Sequence, residues 1–432
     1  DRTYFVRFSV VGGEEEVFSS DVVSFTTRAL NTPDTFYTSV VDGFWSSDGV
    51  WSIRGPWART RPGLPGDTVQ LEVGTGSGAE SGQDRVYRLD RDETVGTMIF
   101  VRGNEHSATV TSADPHTLRF AAASVDGRAE LRSTGGLRTL NLGTVLAEGE
   151  DTGTQADALR IALDSPLDIT RLGAFSYDIW CYAPISGGSA ERPVDISVVC
   201  TGDEWSNVYV HLVNPGNTFR GDLWLGDKIP RPGRSNVYGG SDKVPFADSM
   251  LGDASNRIHL RAFAALVLYG NADTPVVFRR TVTGNGMVKS YSPMMIFTSE
   301  ARLEPCGIDG TGFGTIEIST NGQESGRFAD SAGTTYVLTV DADDPARGDR
   351  IRFADAPMDA LKGTFFIEPD DASVRIPVGE KRVVGELPAG FAPGVRFACG
   401  SSGFKVYSEM TEGGATVLIA ERKPESLSIC VR

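Results

Sequence analysis

The sequence is poor in the residues that most often do chemistry. It holds 4 histidines and 5 cysteines in 432 residues. His106, His116, His211 and His259 are scattered through strand-like or turn contexts, where they read as surface or stacking residues rather than as bases or metal ligands. There is no G-x-S-x-G elbow, no H-E-x-x-H pair and no P-loop, so nucleophilic hydrolase and ATPase readings have no support. Cys181, Cys200, Cys306, Cys399 and Cys430 include no C-x-x-C pair and no His at metal spacing. They read as buried thiols with room for one disulfide. The odd count leaves one thiol without an intramolecular partner, and Cys430, near the end, is the candidate for a link to another chain.

Long hydrophobic runs are also missing. Stretches such as Ala262–Tyr269 are far too short to cross a bilayer, so no membrane insertion by this segment is expected. No basic region followed by an apolar one opens the chain at Asp1, which suits a mature protein or a piece of a longer one. Positive charge is the minority: 41 Lys and Arg face 57 Asp and Glu, a net charge of -16. Such a surface repels phosphate backbones, and no stretch concentrates cations, so nucleic acid is not an expected partner.

What is present is β-structure. Hydrophobic residues make up 40% of the chain, enough for a sizeable interior. Apolar and polar residues alternate in Tyr4–Val10, Val69–Val73, Thr97–Val101, Leu118–Ala122, Val208–Val213, Thr315–Ser319, Tyr336–Val340 and Thr364–Glu368. Glycines, asparagines, aspartates and prolines separate these runs, and no sustained helical period appears. From Asp67 to Leu146 the runs recur every rung, with few hairpin signals between them. That spacing favours stacked coils over a sandwich: a right-handed parallel β-helix with β-rich N-terminal and C-terminal caps.

Two resemblances support this reading. TYFVRFSVVGGEEEVFSSDVVSFTTR, from Thr3 to Arg28, resembles the last two strands of a fibronectin type III domain. Further on, Trp45, Trp51 and Trp57, then Pro65-Gly66-Asp67-Thr68-Val69, then Thr94-Val95-Gly96-Thr97-Met98-Ile99-Phe100 resemble the repeats of bacterial autotransporter passengers. Asn214–Leu225, Asp248–Leu260, Tyr336–Val340 and Gly348–Ile351 are similar to later units of that family, in the same order. The resemblance implies a fibronectin-like strand pair over 1–30, a β-helix over 31–365 and a C-terminal β cap over 366–432. An excursion is expected near 179–207, where Trp180, two cysteines and a charged loop depart from plain rungs.

It also implies a non-catalytic structural or adhesive module of a large secreted bacterial surface protein, extracellular or on the cell surface. The expected partners are neighbouring copies or modules of the same protein, or host or matrix glycans. The competing reading is a polysaccharide-binding or polysaccharide-degrading β-helix. Candidate sites are few. Asp341, Asp343, Asp344 and Asp349 place alternating carboxylates in one turn, a candidate for Ca²⁺, though the turn lacks the central Gly and terminal Glu of an EF-hand. Trp45, Trp51 and Trp57 are candidates for stacking on sugar rings, or else rings that plug the first coil. No catalytic residue is assigned.

Overall fold

The computed structural model describes residues 2–424 apart from 8, 13–14, 20, 28–31, 39–42, 48–49, 54–58, 73–83, 102–106, 135–138, 145–157, 173–175, 203–205, 230–231, 272–273, 321–325, 355–360 and 388–390. Among the described residues the protein is all-β; the one helical element is a short 3-10 turn, Asp248–Leu251. None of its helices is long and apolar enough to cross a membrane.

Between Thr68 and Ala354 the named strands pair with one another in parallel, each with a strand from an earlier or later repeat. An antiparallel sandwich does not describe this region. One ladder runs through Thr68–Glu72, Thr97–Val101, Ala129–Ser133, Leu167–Arg171, Ile196–Cys200, Leu223–Leu225, Ile258–Leu260, Thr281–Gly284, Arg302–Pro305 and Thr335–Val340. A second runs from Arg85–Leu89 through Ser107–Ser112, Thr139–Leu142, Ser176–Cys181, Asn207–Leu212, Arg234–Gly239, Ala264–Leu268, Gly286–Ser290 and Thr315–Ser319 to Arg350–Ala354. Shorter third ladders join Glu93–Val95, His116–Phe120, Leu159–Leu163 and Ile185–Gly187, and then Val276–Phe278, Met294–Phe297 and Arg327–Asp330.

Alternation decides which face is dry. Ala129–Ser133, Leu167–Arg171 and Ile196–Cys200 each bury every second residue. Parallel register then stacks the buried residues on one another. In the first ladder Leu167, Ile196, Leu223, Ile258, Val282 and Leu303 form one buried column. In the second, Leu140, Ile179, Val210, Val237, Leu266, Val288, Ile318 and Phe353 form another. Each such side chain contributes about 1.5–3 kcal/mol relative to exposure, so the columns are the main source of cohesion.

The turns explain two glycines of the repeat motif. Gly66 sits at φ 83°, a left-handed conformation, and a Cβ on Gly96 would lie 2.3 Å from the Gly66 Cα. Successive turns therefore stack only where neither residue carries a side chain.

Within 179–207, where an excursion was expected, the named strands stay in the ladders. Ser176–Cys181, Ile185–Gly187, Ile196–Cys200 and Asn207–Leu212 all lie in register within the ladders. Cys181 and Cys200 are small enough to take buried column positions, and the charged residues Glu191 and Arg192 occupy an exposed turn. Nor does parallel pairing stop at 365. Thr364–Pro369 pairs with Thr335–Val340, and Arg396–Cys399 follows it. Lys381–Glu386 pairs in parallel with Arg350–Ala354 and antiparallel with Thr416–Arg422, which is antiparallel to Phe404–Met410 as well. At the other end, Arg2–Val6 pairs antiparallel with Val23–Thr27, and Ser9–Gly12 with Glu15–Ser19.

Candidate functional site

The residues singled out from sequence are largely structural. Trp45 and Trp51 are buried and meet edge to face at 4.7 Å, and the Trp51 indole N–H donates to the Trp45 carbonyl at 2.7 Å. Their faces are closed to a sugar ring. Trp57 and Cys430 lie outside the described residues. The acidic turn spends its oxygens on its own backbone. Asp341 Oδ1 accepts the N–H groups of Asp343 and Asp344, both at 2.9 Å, and these bonds hold its carboxyl below the usual range. An Asp344 oxygen accepts the Ala346 N–H at 2.9 Å. Asp349 is buried and accepts N–H groups from Gly314 at 2.8 Å and Thr339 at 2.9 Å. Among the described residues no group of three His, Cys, Asp or Glu is placed to hold a metal ion. Asp341, Asp344 and Asp349 thus act as turn caps, the commoner use of aspartate in loops.

Two outward features were hidden in the sequence because register creates them. The first is an aromatic row on the second ladder. Trp180, His211 and Tyr238 occupy aligned outward positions on successive rungs. Trp180 stacks on His211 at 3.7 Å and 6°, and His211 on Tyr238 at 4.5 Å and 15°. Tyr269 and Tyr291 stack further on at 4.9 Å. Because the rings cover one another's faces, the row offers edges and hydroxyls outward. Burial pushes the Tyr182 phenol beside it up to about 12 and raises those of Tyr238 and Tyr269.

The second is a groove on the first ladder. Trp224, His259, Thr283 and Glu304 are aligned outward residues of four successive rungs. The His259 ring stacks on the indole at 3.7 Å and 8°. Both of its nitrogens are engaged, Nε2 with Asp222 and Nδ1 with Thr283 Oγ1, each at 2.8 Å. Burial acts to raise the Asp222 carboxyl, but its bonds to His259 and the Arg257 N–H outweigh that and hold it low. The Trp224 N–H donates to Asp195 at 3.2 Å. Arg261 lies over the indole, 4.7 Å from the ring centroid, and is only 8% exposed. Its Nη1 donates to the Gly226 carbonyl at 3.2 Å, whereas its buried Nε has no partner. Burial lowers its pKa against the distant pull of Asp227.

Arg257 pairs with Glu304 at 2.7 Å, and Arg302 holds the other oxygen of the same carboxylate. The opposite wall is the turn Cys306–Gly310, closed by the Gly307 N–H on the Gly312 carbonyl at 3.0 Å. The cavity between these walls measures about 370 Å³, at the small end of the roughly 300–1,000 Å³ typical of ligand clefts. His259 and Trp224 are visible in the sequence, but nothing there brings Arg261 and Arg257 beside them.

No protein-family model and no curated protein matches the chain.

Proposed function

We propose that the chain is a non-catalytic structural and adhesive module of a large secreted bacterial surface protein, built as a right-handed parallel β-helix like that of autotransporter passengers. The observation that carries this reading is the parallel pairing of strand upon strand from Thr68 to Ala354, with one buried column behind each ladder. Stacking of that kind yields a stiff rod rather than a ball. The antiparallel strands at the two ends would cover open edges that otherwise recruit further strands. Its place is extracellular, and its partners are neighbouring copies or glycans.

Rod shape is the direct test. Small-angle scattering and negative-stain electron microscopy of the purified chain should give an elongated particle with a uniform cross-section. A compact, nearly isotropic particle would overturn the solenoid. The second reading, a glycan-binding β-helix, gains from the cationic groove beside Trp224, and incubation with polysaccharides separates binding from degradation.

A further inference from the structure

We propose that the groove between Trp224, His259 and Arg261 and the Cys306–Gly310 turn binds a glycan through an isolated carboxylate, a uronate residue flanked by neutral sugars. This rests on the adhesive part of the proposed function and names its ligand.

Of the charged residues that line the cavity, Arg257 and Arg261 are cations and Glu304 is the acid. Arg261 is nine-tenths buried, carries an unpartnered Nε, and has no carboxylate within ion-pair distance among the described residues. A desolvated guanidinium without a counter-ion is costly, and a carboxylate brought beside it offsets that cost. Arg257 stands at the same cavity and already shares Glu304 with Arg302, so that acid is neutralised before any ligand arrives. The single carboxylate matters. A chain of net charge -16 repels a polyanion, whereas a sugar chain with spaced charges brings one acid to one cation.

The backbone argues for sugar rather than peptide. Extended peptides gain most of their affinity by adding a strand to an open edge. Here the floor is the face of strands already paired on both sides, Ile258–Leu260 with Leu223–Leu225 and Thr281–Gly284, the latter with Arg302–Pro305. No open strand edge is left in the floor for a peptide. Hydroxyl-rich rings need none, because guanidinium groups and threonine hydroxyls meet them directly.

Titration calorimetry on the full chain tests this with three probes: a tetrasaccharide alternating glucuronate with N-acetylglucosamine, its carboxyl-reduced form, and an acidic tetrapeptide. The acidic sugar should bind at least ten-fold tighter than the reduced form. Arg261→Met, which keeps the bulk over Trp224, should abolish that difference while the melting temperature is maintained. As an independent readout on the unaltered chain, the acidic sugar should slow maleimide labelling of Cys306, a half-exposed thiol in the groove wall. Equal binding of the two sugars, binding of neither, preference for the peptide, or unchanged Cys306 labelling would overturn the site. Release of shorter sugars would overturn the non-catalytic reading and leave the site intact. A compact particle in the scattering experiment would overturn the solenoid without touching it.

Discussion

The indole of Trp180 and the imidazole of His211 lie face to face, 3.7 Å apart and 6° from parallel, on neighbouring rungs. Burial is the dominant influence on His211 and lowers its pKa, although Asp178, 3.4 Å from Nε2, pulls the other way. A histidine with a depressed folded pKa is fully accommodated above its unfolded value of about 6.5, and the fold loses stability as pH falls through the interval below it. The melting temperature of the native chain should therefore drop between pH 7 and pH 5 more than that of His211→Phe, which keeps a stacking ring and cannot be protonated. Parallel pH profiles for the two proteins would show that the imidazole binds its proton equally well folded and unfolded.

Asp349 runs in the opposite sense. Burial raises its carboxyl to about 6 against the bonds from Gly314 and Thr339. A raised carboxyl binds its proton more tightly in the folded state, so stability declines as pH rises from the unfolded value near 3.9 to about 6 and is flat above that. Asp349→Asn should remove this slope while costing about 1–3 kcal/mol at neutral pH, since an amide cannot accept both N–H groups. Urea denaturation of the two proteins at pH 4.5 and pH 7 measures both effects. The same geometry predicts that 5 mM calcium leaves the melting temperature unchanged, because these oxygens already cap backbone.

Alternation was enough to find several strands: Thr97–Val101, Thr315–Ser319 and Thr364–Pro369 lie where the apolar period places them. Pairing was harder to read. Trp180 and His211 meet because their strands pair in parallel register, and nothing local to either residue encodes that. The same blindness produced the expected excursion at 179–207, where an outward Trp and inward Cys residues looked foreign to a rung but fit one in register. It also left Trp45 and Trp51 open between sugar stacking and plugging the first coil, since sequence shows that a ring is present and not which way it faces. The Arg261 groove needed four rungs to be aligned before it existed.

Neighbouring residues of one strand should respond oppositely to truncation. Ile318 is fully buried between Val288 and Phe353, whereas Glu317 points outward to Arg352 at 3.2 Å. Ile318→Ala should cost about 2–5 kcal/mol through lost burial and the cavity left behind. Glu317→Ala should cost less than about 1 kcal/mol, as exposed ion pairs do. Hydrogen exchange read rung by rung checks this, with faster exchange on both adjoining rungs for the first variant only. Similar costs at the two positions would mean that the buried column does not carry the stability.

The strongest single polar dependence is at Asp67. Its carboxylate is fully buried and receives Arg59 in a two-bonded pair at 2.7 Å, together with the N–H groups of Asp34, Gly63 and Leu64 at 2.9–3.0 Å. The Asp67 bond in turn raises the Arg59 pKa. Five donors converge on two oxygens, so the carboxylate fixes the turn that starts the first complete rung. Removing one partner of a buried pair leaves the other charge stranded, at a cost of about 3–5 kcal/mol. Asp67→Ala should therefore free the segment around Gly63 and Leu64 for proteolysis at temperatures where the native chain resists, while rungs beyond Ala129 stay protected, since stacked repeats lose stability locally. Arg59→Met should do less damage, because the backbone donors remain to satisfy the acid. If mass mapping of the first cleavage sites finds Asp67→Ala cut evenly along the chain, the rungs melt as one unit and the local account of this turn is wrong.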